Sequence, residues 1–123
     1  MNIRNKLAAS LALLLPGMIA AAAEDSVTRY RLVADSGNSS SCTELDAVLA
    51  REHTVTARND DVEITSAGGV EGRMRELRAG VYIEMFELSG LRLDVIADLS
   101  STPKTLTVSD RLFGCKWRAN PQR

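Results

Sequence analysis

From His53 to Arg118 the chain alternates apolar and polar residues in short runs. Those runs are broken by Asn59-Asp60, Gly68-Gly69, Ala79-Gly80, Ser89-Gly90 and Ser101-Thr102-Pro103. A side-chain period of two cut by tight-turn residues directs a chain into antiparallel hairpins joined in order, a β-meander. The expected strands are Thr28–Ala34, His53–Arg58, Asp61–Ser66, Gly72–Arg78, Val81–Leu88, Leu91–Leu99, Lys104–Ser109 and Leu112–Arg118. The expected fold is therefore mainly all-β, a small antiparallel meander barrel or sandwich of about eight strands.

Turn positions set the pairing. With Asn59-Asp60 as a two-residue turn, Arg58 faces Asp61, Ala57 faces Val62, Val55 faces Ile64 and Thr54 faces Thr65. With Ser89-Gly90 as the turn, Glu87 faces Arg92, Phe86 faces Leu93 and Ile83 faces Ile96. With Ala79-Gly80 as the turn, Leu77 faces Tyr82, Arg75 faces Glu84 and Met74 faces Met85. Each set combines apolar partners or opposite charges, the pairs that stabilise a sheet. The last register puts Arg73, Arg75 and Leu77 on the apolar face and makes Arg75 and Glu84 an ion pair at the barrel rim, with Arg58 to Asp61 a second pair in the first hairpin.

Ser41–Glu52 follows a different period. Ser41 with Glu44 three residues on makes a capping box, and Leu45, Val48 and Leu49 share one helical stripe, so a short helix is expected, with a strand through Leu45, Ala47 and Leu49 as the competing reading. The small, polar stretch Asp35–Ser41 before it is expected to be a mobile loop. Its Asn38-Ser39-Ser40 matches a glycosylation sequon.

The first 23 residues have the three parts of an export signal: a basic start with Arg4 and Lys6, an apolar run from Leu7 to Ile19, and a small-residue end at Ala20–Ala23. Ser10, Pro16 and Gly17 interrupt the run, whereas a membrane anchor needs about 20 uninterrupted apolar residues. Residues 1–23 are read as a cleaved signal peptide and 24–123 as a single secreted or periplasmic β domain without a membrane anchor. Cys42 and Cys115 both remain after cleavage, and an oxidising compartment makes them a disulfide. The bridge closes a loop spanning most of the domain, for which chain entropy gives about 4 kcal/mol.

The chemical inventory is sparse. A composition 45% hydrophobic and 25% charged, with a formal net charge of -1, lacks the overall basic footprint that nucleic-acid binding requires. His53 is the single histidine, and no GxSxG elbow accompanies it, so no nucleophilic arrangement stands out. One histidine and two bridged cysteines do not furnish a zinc ligand set. Asn59, Asp60 and Asp61 fall short of the six to eight oxygens that calcium takes. No metal or cofactor is implied, and the chain is read as a non-enzyme. Phe113, Cys115 and Trp117 alternate along one side of the expected last strand, with Trp117 in the core beside the bridge.

This layout resembles that of small periplasmic β-barrel inhibitors of lysozyme or proteases: an export signal, about 100 residues of antiparallel β, and one bridge from an early cysteine to the last strand. Where the membrane-associated C-type lysozyme inhibitors carry Ser-Gly-x-x-Tyr, this chain reads Ser66-Ala67-Gly68-Gly69-Val70. No inhibitory residue is carried over.

The expected function is a binding module, inhibitor-like, that presents loops from a rigid β scaffold to a protein of the cell envelope. Its expected contact elements are Ala67–Glu71, with Gly68 and Gly69, and Asp35–Ser41. The alternative is a small-ligand carrier using the barrel lumen, with Arg75, Tyr82, Glu84 and Phe86 at its mouth. An open apolar cavity of a few hundred Å³ separates the two, since ligand sites are of about that size. The exported protein is predicted to begin at Glu24 and to carry no free thiol; an intact mass that includes residues 1–23, or two alkylatable cysteines, contradicts this.

Overall fold

The computed structural model describes residues 25–66, 71–88 and 90–121, so the expected signal peptide and Gly68 and Gly69 lie outside the described residues. Nine strands form one sheet: β1 (Ser26–Arg31), β2 (Val33–Ala34), β3 (Glu52–Arg58), β4 (Asp61–Ser66), β5 (Glu71–Arg78), β6 (Val81–Leu88), β7 (Leu91–Asp98), β8 (Thr105–Asp110) and β9 (Lys116–Ala119). Their order is β1-β3-β4-β5-β6-β7-β8-β9-β2, with every neighbour antiparallel. The two ends of that order are consecutive in the chain. β1 lies against β3, buried Leu32 turns the chain, and β2 lies against β9. One bent strand thus serves both edges of the meander, and the sheet becomes a nearly closed barrel with Val55, Ile64, Leu93, Leu106 and Trp117 facing its core.

The first hairpin has the expected register, including Arg58 against Asp61 and Val55 against Ile64, across a turn in which Asn59 takes a φ of 57°. The β6–β7 hairpin also holds as expected, from Glu87 against Arg92 to Ile83 against Ile96. The expected Arg58 to Asp61 ion pair does not form, because Asp61 pairs with Arg73 on the outer wall. Both partners are exposed, so the contact contributes at most about 1 kcal/mol.

The β5–β6 hairpin departs from expectation. Arg78 faces Val81 across the Ala79-Gly80 turn, but the register then shifts, so that Glu76 faces Tyr82 and Arg75 faces Ile83. Leu77 is the extra residue of a β-bulge, and a slip of one reverses every side chain before it. Gly72 and buried Met74 therefore turn inward, while Arg73, Arg75 and Leu77 are exposed. The energetic reason is the charge. Drawing guanidinium groups into an apolar lumen costs several kcal/mol per ion, more than the ladder bonds lost at one bulge. The expected Arg75–Glu84 pair is thereby excluded.

The segment between β2 and β3 is helical. A 3₁₀ turn at Ser40–Cys42 leads into α1 (Thr43–Leu49). The expected capping box is not made: Cys42 is the N-cap, in αR conformation, and no side chain caps the helix. Seven residues are too few for a helix to stand alone. This one is held by burial of Leu45 and Leu49, worth about 2 kcal/mol each, and by Trp117, whose Nε1–H donates to Asp46 Oδ1 at 2.8 Å. Cys42 and Cys115 are joined, with Cα atoms 5.7 Å apart.

Arg75→Met and Glu84→Gln are predicted to be independent, with a double-mutant coupling under about 0.5 kcal/mol in chemical unfolding. A coupling above about 1 kcal/mol would return Arg75 to the inner face.

Candidate functional site

The end of the barrel carrying α1 gathers the unusual surface. Leu112–Arg118 does not form one strand as expected: β9 begins at Lys116, and the preceding Arg111–Gly114 is a turn. The turn is built on Asp110, whose buried carboxylate accepts the backbone N–H of Leu112 at 3.2 Å and of Phe113 at 2.8 Å. Its own N–H donates to the Cys115 carbonyl at 2.9 Å, and Gly114 supplies the positive φ, 71°, that the reversal needs. Arg111 Nε donates to Asp94 Oδ2 at 2.7 Å, so the other flank is pinned as well. The side chains left largely exposed on this turn are Leu112, 72% exposed, and Phe113, 49% exposed. Phe113 therefore does not join Cys115 and Trp117, which are both buried. Val48 on α1 adds a third exposed apolar side chain at this end.

Inside the same end is a cavity of about 120 Å³, lined by Leu49, Ile64, Phe86, Leu88, Leu93 and Leu106 among others. Its polar lining is His53, Ser66 and Glu87. His53 and Ser66 face each other across β3 and β4, as the sequence register expects. His53 Nε2 lies 3.0 Å from the Leu49 carbonyl, an acceptor only, so Nε2 carries the proton. Nδ1 then accepts the Ser66 hydroxyl at 2.8 Å. Burial pushes the imidazole below its ordinary value, opposed by the hydrogen bond to Leu49. Both ring nitrogens are occupied, and the pair fastens the C-terminal end of α1 to the β3–β4 hairpin.

The residues expected at a ligand mouth are divided. Tyr82, Glu84 and Phe86 do share the inner face of β6, but Tyr82 is buried toward the opposite end. Burial pushes its phenol up, and the carboxylates of Glu76 and Asp60 act in the same direction. Glu84 is half-buried, and Oε1 accepts the Met85 N–H at 2.9 Å. Phe86 alone of the three lines the cavity. Glu84 and Phe86 both lie over Gly72, where a Cβ would meet Glu84 Oε2 at 2.8 Å and Phe86 Cζ at 2.9 Å. Arg75 is outside the barrel.

The expected mobile loop Asp35–Ser41 is tied to β9. The Asn38 side chain donates to the Lys116 carbonyl at 2.8 Å and accepts the Lys116 N–H at 2.9 Å, and Asp35 N–H reaches the same carbonyl at 2.9 Å. The Asn38 amide that a glycan would occupy is thus spent as a substitute strand partner. Leu112 and Phe113 escaped the sequence reading because alternation through Cys115 and Trp117 runs on into them. The signal that could have found them is Asp110 four residues before Gly114, a carboxylate and a glycine bracketing a turn.

Among the described residues no group of three or more His, Cys, Asp or Glu could hold a metal ion. The chain matches no known protein family, no curated protein and no solved structure, so the reading of this end rests on its own geometry.

The depressed value of His53 sets a pH dependence. Between that value and the ordinary 6.5, the unfolded chain binds the proton that the folded chain refuses. The contribution is complete above about pH 6.5 and is lost as pH falls toward the folded value. His53→Gln is predicted to flatten this part of the stability profile, measured by chemical unfolding from pH 7.5 to 5. An identical slope in the variant removes the assignment.

Proposed function

We propose that the protein is an exported, non-enzymatic binding module that docks a partner protein of the cell envelope through the Arg111–Gly114 turn. The observation that carries this reading is the pair Leu112 and Phe113. Two large apolar side chains stand side by side on one exposed turn, and buried Asp110 fixes the backbone that presents them. Rigid apolar anchors on a short turn bind at low entropic cost, because little is left to order on contact. The Cys42–Cys115 bridge directly behind the turn adds to that rigidity.

Export is supported by the leader-like pattern of residues 1–23 and by the disulfide. No helix among the described residues is long and apolar enough to cross a membrane. The carrier reading is less favoured, because a lumen of about 120 Å³ falls below the roughly 300 Å³ at which ligand pockets begin.

The test compares the oxidised protein with a Leu112→Ser/Phe113→Ser variant, each immobilised and exposed to envelope extract, with quantitative mass spectrometry of what is retained. A specific protein retained by the native chain and reduced about tenfold or more by the variant, at unchanged melting, is the expected outcome; truncating apolar anchors at an interface costs 2 kcal/mol or more, roughly thirtyfold. Equal retention by both forms overturns the docking role of the turn, and a co-purifying small molecule in native mass spectra would favour the carrier.

A further inference from the structure

Beginning at the Ser109–Lys116 pair beside the apolar turn, the outer wall of β8, β9 and β2 carries an open groove of about 920 Å³ running to the chain's seam. Its side chains form a grid set by register. Ser109 lies opposite Lys116, and the next outward row is Thr107, Arg118 and Val33. Arg31 reaches the groove from the end of β1, and Ser36 and Asn120 add polar groups. Three cations thus line the groove, with Asp35 as the one carboxylate among the described lining residues, and it already accepts the Gly37 N–H at 3.2 Å; Glu52 stands opposite Arg31 on β3, beyond the groove lining. The two ion pairs found among the described residues are Arg73–Asp61 and Arg111–Asp94, so none of the three groove cations is neutralised by one.

We propose that this groove binds an acidic oligosaccharide, a short glycan bearing carboxylate, sulfate or phosphate groups. Guanidinium groups pair with such oxyanions in fork geometry, and an ammonium serves as a point charge beside them. Lys116 and Arg118 are two residues apart on one strand, hence about 7 Å apart along it, so they can meet successive charges of an extended ligand rather than one compact anion. The hydroxyls of Thr107 and Ser109 stand beside those cations and match the hydroxyls of a sugar. Val33, 69% exposed in the same row, offers an apolar surface to the C–H face of a pyranose ring. A ligand that was charge alone would leave the hydroxyl column and Val33 without a purpose. The near-neutral formal charge of the whole chain conceals this surface, since Arg31, Lys116 and Arg118 come together only when β2 closes on β9.

The experiment is calorimetric titration of the oxidised chain with a heparin-derived tetrasaccharide, with maltotetraose and pyrophosphate as companion probes. Saturable binding of the tetrasaccharide that weakens as salt is raised, with no binding of maltotetraose, is expected. Arg118→Ser and Lys116→Ser should each weaken it about tenfold, the worth of one charge-assisted contact. Leu112→Ser/Phe113→Ser should leave it unchanged. These positions are exposed, and circular dichroism with thermal melting verifies the fold; Arg31→Ser replaces either variant that fails to fold. Absence of tetrasaccharide binding at millimolar concentration, salt-insensitive binding, or full affinity in the variants overturns the proposal. Pyrophosphate binding as tightly as the tetrasaccharide also overturns it, since the groove would then be a single-anion site.

Discussion

The structure depends on one strand pairing with two neighbours. A meander laid out flat ends in two unpaired edges, each a row of free backbone donors and acceptors. Here β1 satisfies β3, the chain bends at buried Leu32, and β2 satisfies β9. The contact with β9 is only two residues long, and the chain reinforces it from both sides. Asp35 and Asn38 continue the pairing onto Lys116, while the bridge from Cys42 to Cys115 ties the segment after β2 to the residue before β9. The disulfide is thus a clip on the closure seam. Its effect is larger than its two atoms suggest, because the loop it closes contains most of the barrel.

A barrel this small has little room inside. α1 covers one end, with Leu45 and Leu49 in the core and His53 fastening its last carbonyl, and the space left beneath is about 120 Å³. The contact surfaces proposed for this chain accordingly lie on the outside of the scaffold, where rigid backbone presents side chains without needing a lumen. Two buried aspartates shape that outer surface. Asp110 shapes the turn from within and Asp94 holds Arg111 from beside it, so side chains that elsewhere would be core are carried outward.

Charge decides the remaining detail. Strand β5 carries Arg73 and Arg75 in positions that simple pairing across Ala79-Gly80 would point inward. The bulge at Leu77 reverses them and admits Gly72 and Met74 instead. The same preference of guanidinium groups for water populates the outer wall, where neighbouring strands supply Arg31 and Arg118 to a common groove.

Alternation and turn residues by themselves determined the meander, the first and β6–β7 registers, the opposition of His53 to Ser66 and the pairing of the two cysteines. All of these follow from local periodicity or from a choice with one solution. The short helix was legible from the stripe of Leu45 and Leu49, although its cap was not, because the chain enters through a 3₁₀ turn whose geometry Cys42 adopts under the constraint of the bridge. Only the tertiary structure decided which face of β5 is inside, since a one-residue bulge is invisible to a period of two and is selected by the cost of burying charge. It also decided that Leu112 and Phe113 leave the last strand, because their direction is set by a carboxylate that is buried only once β8 and β9 are paired. The groove of Arg31, Lys116 and Arg118 belongs to that second group as well: residues from the two ends of the domain become neighbours through barrel closure, a long-range contact that no local pattern encodes.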